Sequence, residues 1–210
     1  MLKVFAAIGS LLLAGCTVVG VRSGTEESPY TVVERLGDDL EVRTYAARVA
    51  AETTVDKSGE DGRNAAFRRL FDYITGANQR SANIAMTAPV AVADASEKIA
   101  MTVPVATAPS GTGGMAMRFF LPAELTAATA PQPADPNVRI VPVPTQTLAV
   151  LRFSGSTSDA AVAGREAELV ARLQGKGWKP TAAPLAMFYD PPWTVPFLRR
   201  NEVAVPVERR

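Results

Sequence analysis

A chain of 210 residues with 47% hydrophobic and 20% charged side chains has the composition of an ordinary globular protein and the length for one well-buried core. Its 22 basic side chains face 21 acidic ones, so no positive excess is available to bind a nucleic acid by counterion release. One cysteine leaves no internal disulfide, and the absence of histidine excludes Ser-His-Asp triads, HExxH zinc sites and histidine general bases.

The first sixteen residues read as a bacterial lipoprotein signal. Lys3 is the charged n-region, Val4 to Leu13 is an apolar stretch too short to span a bilayer, and Leu13-Ala14-Gly15-Cys16 matches the lipobox before an acylated cysteine. Residues 1–15 are expected to be removed and Cys16 lipidated. Acyl chains, at about 0.8 kcal/mol per buried methylene, would hold the mature chain on a membrane essentially permanently. Thr17 stands where an inner-membrane retention signal has Asp, which points to the outer membrane, facing the periplasm. Loss of Lys3 leaves 21 basic against 21 acidic residues. Residues 16–29 are then the lipidated cysteine and a Gly-, Ser-, Thr- and Glu-rich tether, and residues 30–210 the domain.

Within the domain, Leu40–Tyr45 and Val49–Val55 have period-two character and read as strands joined by a turn over Ala46 to Arg48. Helix one follows, capped by Ser58 with Asp61 three positions on, and striped by Phe67, Leu70, Phe71 and Ile74 before Gly76. A short repeat comes next. Ile84-Ala85-Met86-Thr87-Ala88-Pro89-Val90 and Ile99-Ala100-Met101-Thr102-Val103-Pro104-Val105 flank the polar Asp94 to Lys98, which suits an antiparallel hairpin bulged at its prolines. Met86 and Met101, taken singly, read first as core. Pro109 to Gly114 and Pro122 to Pro136 are expected surface loops.

The second half repeats the plan of strand and helix. Leu148–Phe153 reads as a strand, and Asp159 to Leu173 as a helix striped by Val162, Glu166, Leu169, Val170 and Leu173 and stopped by Gly175. Glu166 on that stripe reads as a flanking or paired carboxylate rather than a catalytic one. No GxSxG or Walker A pattern appears, and no enzyme motif points to a reaction.

Several motifs stand together. Glu41-Val42-Arg43-x-Tyr45, Tyr73-Ile74-x-Gly76-x-Asn78, the doubled Met-Thr-x-Pro-Val, Arg152-Phe153-Ser154-Gly155 and the run from Tyr189-Asp190-Pro191-Pro192-Trp193 to Arg199-Arg200-Asn201-Glu202-Val203 resemble the SOUL haem-binding family, over about Tyr30 to Val207. The resemblance implies an α+β fold: a distorted antiparallel β-barrel of two pseudo-symmetric halves, each with one flanking helix. It also implies noncovalent binding of haem or another tetrapyrrole; with no enzyme motif in the chain, a non-enzymic protein is expected, acting as a monomer.

Without histidine and with Cys16 acylated, an iron ligand would have to be Met86, Met101, Met115, Met117, Met187 or one of Tyr30, Tyr45, Tyr73 and Tyr189. Binding without coordination is energetically open. A porphyrin face burying on the order of 400 Å² is worth about 10 kcal/mol gross at roughly 25 cal/mol per Å². Association takes back several kcal/mol, while a micromolar dissociation constant needs about 8 kcal/mol. Arginine–propionate pairs supply part of the difference. Candidate ligand contacts are Arg63, Phe67 and Phe71 on helix one, Met86 and Met101 in the hairpin, and Trp193, Phe197 and Arg199 in the last motif. Two other readings stand beside this one. The last motif also reads as a fold signature, with Trp193 and Phe197 plugging the barrel end and the arginines paired to neighbours such as Glu202; an interaction lipoprotein would keep the fold without the ligand, as the missing histidine suggests. A small-molecule hydrolase would use Glu202 or Glu41 in a pocket.

Overall fold

The computed structural model describes residues 26–57, 59–79, 98–110, 114–190 and 194–210. Outside them lie the expected signal, Cys16, the tether up to Thr25, the Ser58 cap, the first repeat copy with Met86 and its pairing to the second, and Trp193.

In chain order the described residues form β1 (Glu26–Glu27), β2 (Tyr30–Arg35), β3 (Leu40–Tyr45), β4 (Arg48–Val55), α1 (Gly59–Thr75) and β5 (Asn78–Gln79). Then come β6 (Thr102–Val103), β7 (Val105–Ser110), β8 (Gly114–Phe120), β9 (Gln132–Pro133) and β10 (Val138–Val143). The second half holds β11 (Gln146–Phe153), α2 (Asp159–Arg172), β12 (Trp178–Pro180), β13 (Leu185–Phe188) and β14 (Asn201–Arg209). One antiparallel sheet runs β10-β4-β8-β7-β13-β14-β11-β3-β2, with β12 added against β14. Glu26–Glu27, the end of the expected tether, pair in parallel with β6, and Ser28 donates its N–H to the Val103 carbonyl at 3.0 Å.

Connectivity forces this sheet to curl. Laid flat, six strand spacings of about 4.8 Å would put β4 roughly 29 Å from β3. Only Ala46 and Ala47 join them, a reach of about 11 Å. β10 and β11 are equally far apart in strand order and are bridged by Pro144 and Thr145 alone. The two ends of the sheet therefore meet at these corners, and the sheet closes into a half-barrel. β3 and β4 do not pair with each other, and Arg48, expected in the turn, instead opens β4.

Both helices lie on the outer face, each on its own half. α1 covers β4 and β8 and buries Gly62, Ala66, Leu70, Tyr73 and Ile74. A Cβ at Gly62 would run into the Lys57 carbonyl of the preceding connection and lie 3.3 Å from Met115 Sδ on β8, so the helix approaches the sheet on its small residues. That roll leaves Phe67 half-buried and Phe71 42% exposed, where the stripe had placed both inward. Tyr73, absent from the stripe, is buried and donates its hydroxyl to the Pro131 carbonyl at 2.8 Å. α2 starts at Ser158, whose Oγ accepts the Ala161 N–H at 3.4 Å, and packs Leu169 and Leu173 onto β11 and β14. Burial raises the Glu166 carboxyl on its flank.

Arg172, in the last turn of α2, is bidentate to Asp39 between β2 and β3, at 2.7 and 3.0 Å. Its hydrogen bond lowers the Asp39 carboxyl below the ordinary range. A depressed carboxylate stabilises the fold above its unfolded-state pKa and loses that contribution as pH falls through its folded value. Both side chains are partly exposed, so Asp39→Asn is expected to cost under about 1 kcal/mol at pH 7 and progressively less as the carboxyl protonates in acid. Urea midpoints measured across the acid limb check this; an equal cost at pH 7 and in acid would contradict it.

Candidate functional site

Side chains alternate across a strand, so residues that do not meet a helix point into the curl. On β14, Val203, Val205 and Val207 pack beneath α2, which turns Glu202 and Ala204 inward. On β3, Leu40 and Val42 face α2, and Glu41, Arg43 and Tyr45 face inward. On β4, Ala51 and Val55 meet α1, and Arg48, Ala50 and Glu52 point the other way.

Glu202 is fully buried, and its carboxylate is held from three directions. Arg43 Nη1 donates to Oε2 at 3.0 Å, the Tyr189 hydroxyl donates to the same oxygen at 2.6 Å, and Arg200 reaches Oε1 through Nη2 at 3.1 Å and Nε at 3.3 Å. The arginines are shared outward. Arg43 Nε donates to Glu41 at 2.9 Å, and Arg200 Nη1 to both oxygens of Glu27 at 2.9 and 3.1 Å. Taking a carboxylate out of water is costly unless charge-assisted bonds such as these satisfy its oxygens. Burial pushes the Tyr189 hydroxyl well up, and the adjoining Glu202 charge adds to the shift. Tyr45 is also raised, chiefly by burial. Burial works against the charged forms of Arg43 and Arg200, but Glu202 and the neighbouring tyrosines outweigh it, so both are held more firmly protonated than an exposed arginine.

Arg48 lacks such compensation. Its guanidinium lies 3.8 Å from the Phe120 ring centroid and 4.4 Å from that of Tyr45, while Nε and Nη1 are sealed from solvent with no acceptor. Burial brings its pKa down to about 10, Tyr45 and Tyr189 hold it up, and Arg118 adds a like charge. It is therefore a cation at neutral pH. The nearest inward carboxylate on its own strand, Glu52, is taken by Arg118 at 2.6 Å and Arg139 at 3.1 Å.

Arg48 lines a cavity of about 490 Å³ at the seam where the ends of the sheet meet. Both corners contribute, through Ala46, Ala47 and Val49 on one side and Pro142, Val143 and Pro144 on the other. Leu121 and Leu125 in the loop after β8 add apolar wall, and Ser28, Pro29 and Thr102 close the side nearest the chain start. Glu26, the lining carboxylate, accepts the Ala123 N–H at 3.1 Å. Among the described residues, no group of three or more Cys, Asp or Glu side chains stands ready to hold a metal ion.

The expected ligand contacts fall in separate places. Phe67, Phe71 and Met101 come together on the outer face. Phe67 stacks on Phe71 at 5.9 Å and meets Phe119 edge-on at 5.3 Å, and Met101 packs against the same core. Arg63 is ion-paired to Asp159 at the start of α2. Phe197 is 74% exposed on a single 3-10 turn, and Arg199 donates Nε to the Thr194 carbonyl at 2.7 Å. None of these described residues lines the seam cavity. What does converge is the pair of motifs at the two ends of the domain: Glu41, Arg43 and Tyr45 meet Tyr189, Arg200 and Glu202 in one network. Arg48 escaped the sequence reading because it was assigned to the turn. Its signal was its parity with Ala50 and Glu52 on β4.

Removing the central carboxylate leaves two buried arginines short of their counter-charge, so Glu202→Gln is expected to cost about 3–5 kcal/mol of stability. Tyr189→Phe, which deletes one donor, should cost about 1–3 kcal/mol. Chemical denaturation of both variants measures this, and a Glu202→Gln cost below that of Tyr189→Phe would contradict the network's central role.

Comparison with known proteins agrees with this geometry. A family model described as SOUL heme-binding protein matches residues 25–206. Heme-binding protein 1 of Sus scrofa is 26% identical over 188 residues, covering 85% of this chain and 90% of that protein. Among solved structures, the EcmrR C-terminal domain superposes with a TM-score of 0.55 at 12% identity, over 86% of this chain and 99% of that one. A hydrolase from Listeria innocua superposes at 0.54 and 12% identity, over 81% and 92%. These two likenesses carry the fold alone, whereas the family match spans nearly the whole described domain: the chain belongs to the SOUL heme-binding protein family.

Proposed function

We propose that this protein is a non-enzymic binding module for haem or a related planar tetrapyrrole, anchored through acylated Cys16 to the outer membrane and facing the periplasm. The observation that carries the ligand reading is the seam cavity: about 490 Å³, within the usual size of small-molecule sites, apolar in most of its wall and supplied with one uncompensated cation. Family membership supports the same reading.

The cavity fits the macrocycle edge and a propionate better than it fits iron. Its lining includes no methionine or tyrosine among the described residues. Met187, Tyr45 and Tyr189 are buried in the core of the inner face, with the Tyr189 hydroxyl committed to Glu202, and Tyr73 is bound to Pro131. Bound haem would bring its iron's ligand and electron chemistry; the protein's part is to bury an apolar edge, exclude water and oppose a carboxylate with Arg48. The acids that a hydrolase would use are occupied. Glu202 is bound by two arginines and a tyrosine, and Glu41 by Arg43 and Arg35. Phe197 and Leu198, exposed together on their turn, are what an interaction lipoprotein would present instead.

Since the proposed mode needs no axial ligand, iron-free protoporphyrin should bind within about tenfold of haemin, a difference near 1.4 kcal/mol. Quenching of tryptophan fluorescence by both compounds measures it. Saturable binding of haemin with none of protoporphyrin would refute coordination-free binding, and binding of neither would favour the interaction reading. For the anchor, Cys16→Ser should release the protein from the membrane fraction; a variant that stays membrane-bound at unchanged mass would contradict acylation.

A further inference from the structure

We infer that Arg48 is the anchor for the carboxylate of an amphiphilic ligand, an apolar body bearing one or two carboxylates, that enters the seam cavity acid end first. This deepens the tetrapyrrole reading and rests on it for the porphyrin probes below, while the aliphatic probes test Arg48 by itself.

Charge on the inner face is otherwise closed. Arg43 and Arg200 share Glu202, and Arg118 has Glu52. Arg48 alone among these four meets no carboxylate; its Nε and Nη1 are sealed without an acceptor, so a ligand's acid reaches the guanidinium at Nη2, the nitrogen that is not sealed. A buried guanidinium carries five donors and a charge that it cannot shed at neutral pH, so leaving it unpaired is costly. The rings of Tyr45 and Phe120 lie close to the guanidinium and recover only part of that cost. Such a group is retained at the expense of stability when something outside the chain supplies the acceptor.

The cavity restricts what that acceptor is attached to. Val49, Leu121, Leu125, Val143 and Pro144 offer dispersion and apolar burial but almost no hydrogen bonding, which disfavours sugars and nucleotides. Arg48 is the cation of the described wall and Glu26, turned to the Ala123 N–H, its carboxylate, so a singly charged acid placed at Arg48 is accommodated better than a doubly charged phosphate. The corner at Ala46 and Ala47 holds Arg48, the first residue of β4, in the wall of the same cavity. An amphiphile therefore satisfies both features at once.

The test uses the full chain carrying Cys16→Ser, which avoids detergent, titrated calorimetrically with protoporphyrin and its dimethyl ester and with dodecanoate and 1-dodecanol. The unsubstituted Arg48 chain is expected to prefer each acid over its neutral counterpart by about ten- to a hundredfold. Arg48→Met should erase both preferences while raising or preserving the melting temperature, because it removes an uncompensated buried charge. Arg48→Lys should keep the preference for the acids. A merely structural role for Arg48 predicts the opposite pairing, a lowered melting temperature with the acid preference intact, and that result overturns the inference. Should porphyrins not bind while dodecanoate retains an Arg48-dependent preference, the tetrapyrrole reading fails and the carboxylate site stands; no acid preference for either pair overturns the site.

Discussion

Glu202 sits on β14, the strand that pairs with β11, β13 and β12, and it has no access to water. Satisfying that buried carboxylate brings Arg43 from β3, Arg200 from the segment before β14 and Tyr189 from the end of β13 within hydrogen-bonding distance together. Those groups come from distant parts of the chain. Their convergence ties both ends of the sequence to the inner face and limits how the half-barrel can curl. Replacing the network by apolar side chains of equal volume would be tolerated more readily than breaking it one member at a time, which is why its value lies in specifying one arrangement rather than in raw stability.

The seam follows from the same topology. Two-residue corners at Ala46–Ala47 and Pro144–Thr145 bring together strands that stand six places apart in the sheet. Where those ends meet, the wall is made of loop and corner residues, and a cavity remains. Arg48 occupies the first strand position after one corner, on a strand whose own acid, Glu52, is already bound by Arg118 and Arg139. Helices, by contrast, are confined to the outer face, where α1 and α2 cover separate cores.

Much of this was readable from local pattern. β3 matches its expected bounds, α2 begins at the expected Asp159 with Leu169 and Leu173 inward, and the motifs at Glu41 and Tyr189 mark the residues of the network. Long-range facts were not. The Arg43–Glu202 bond spans 159 positions, and nothing near either residue states that the other will be its partner. Sheet order hid the corner at Ala46–Ala47, so Arg48 looked like a turn residue, and the small face of Gly62 and Ala66 rolled α1 until Phe71 faced outward. Hydrophobic spacing reports which residues are apolar; how closely a helix approaches its sheet depends on where the small residues fall.

The central claim is that the ligand's acid is held at the seam by Arg48, and a crystal structure of the chain with protoporphyrin bound tests it most directly. The account predicts a propionate within hydrogen-bonding distance of the Arg48 guanidinium, the macrocycle edge against Leu121 and Leu125, and the Glu202 network unchanged. A macrocycle seated on the outer face against Phe67 and Phe71, with Arg48 still lacking an acceptor, would contradict it.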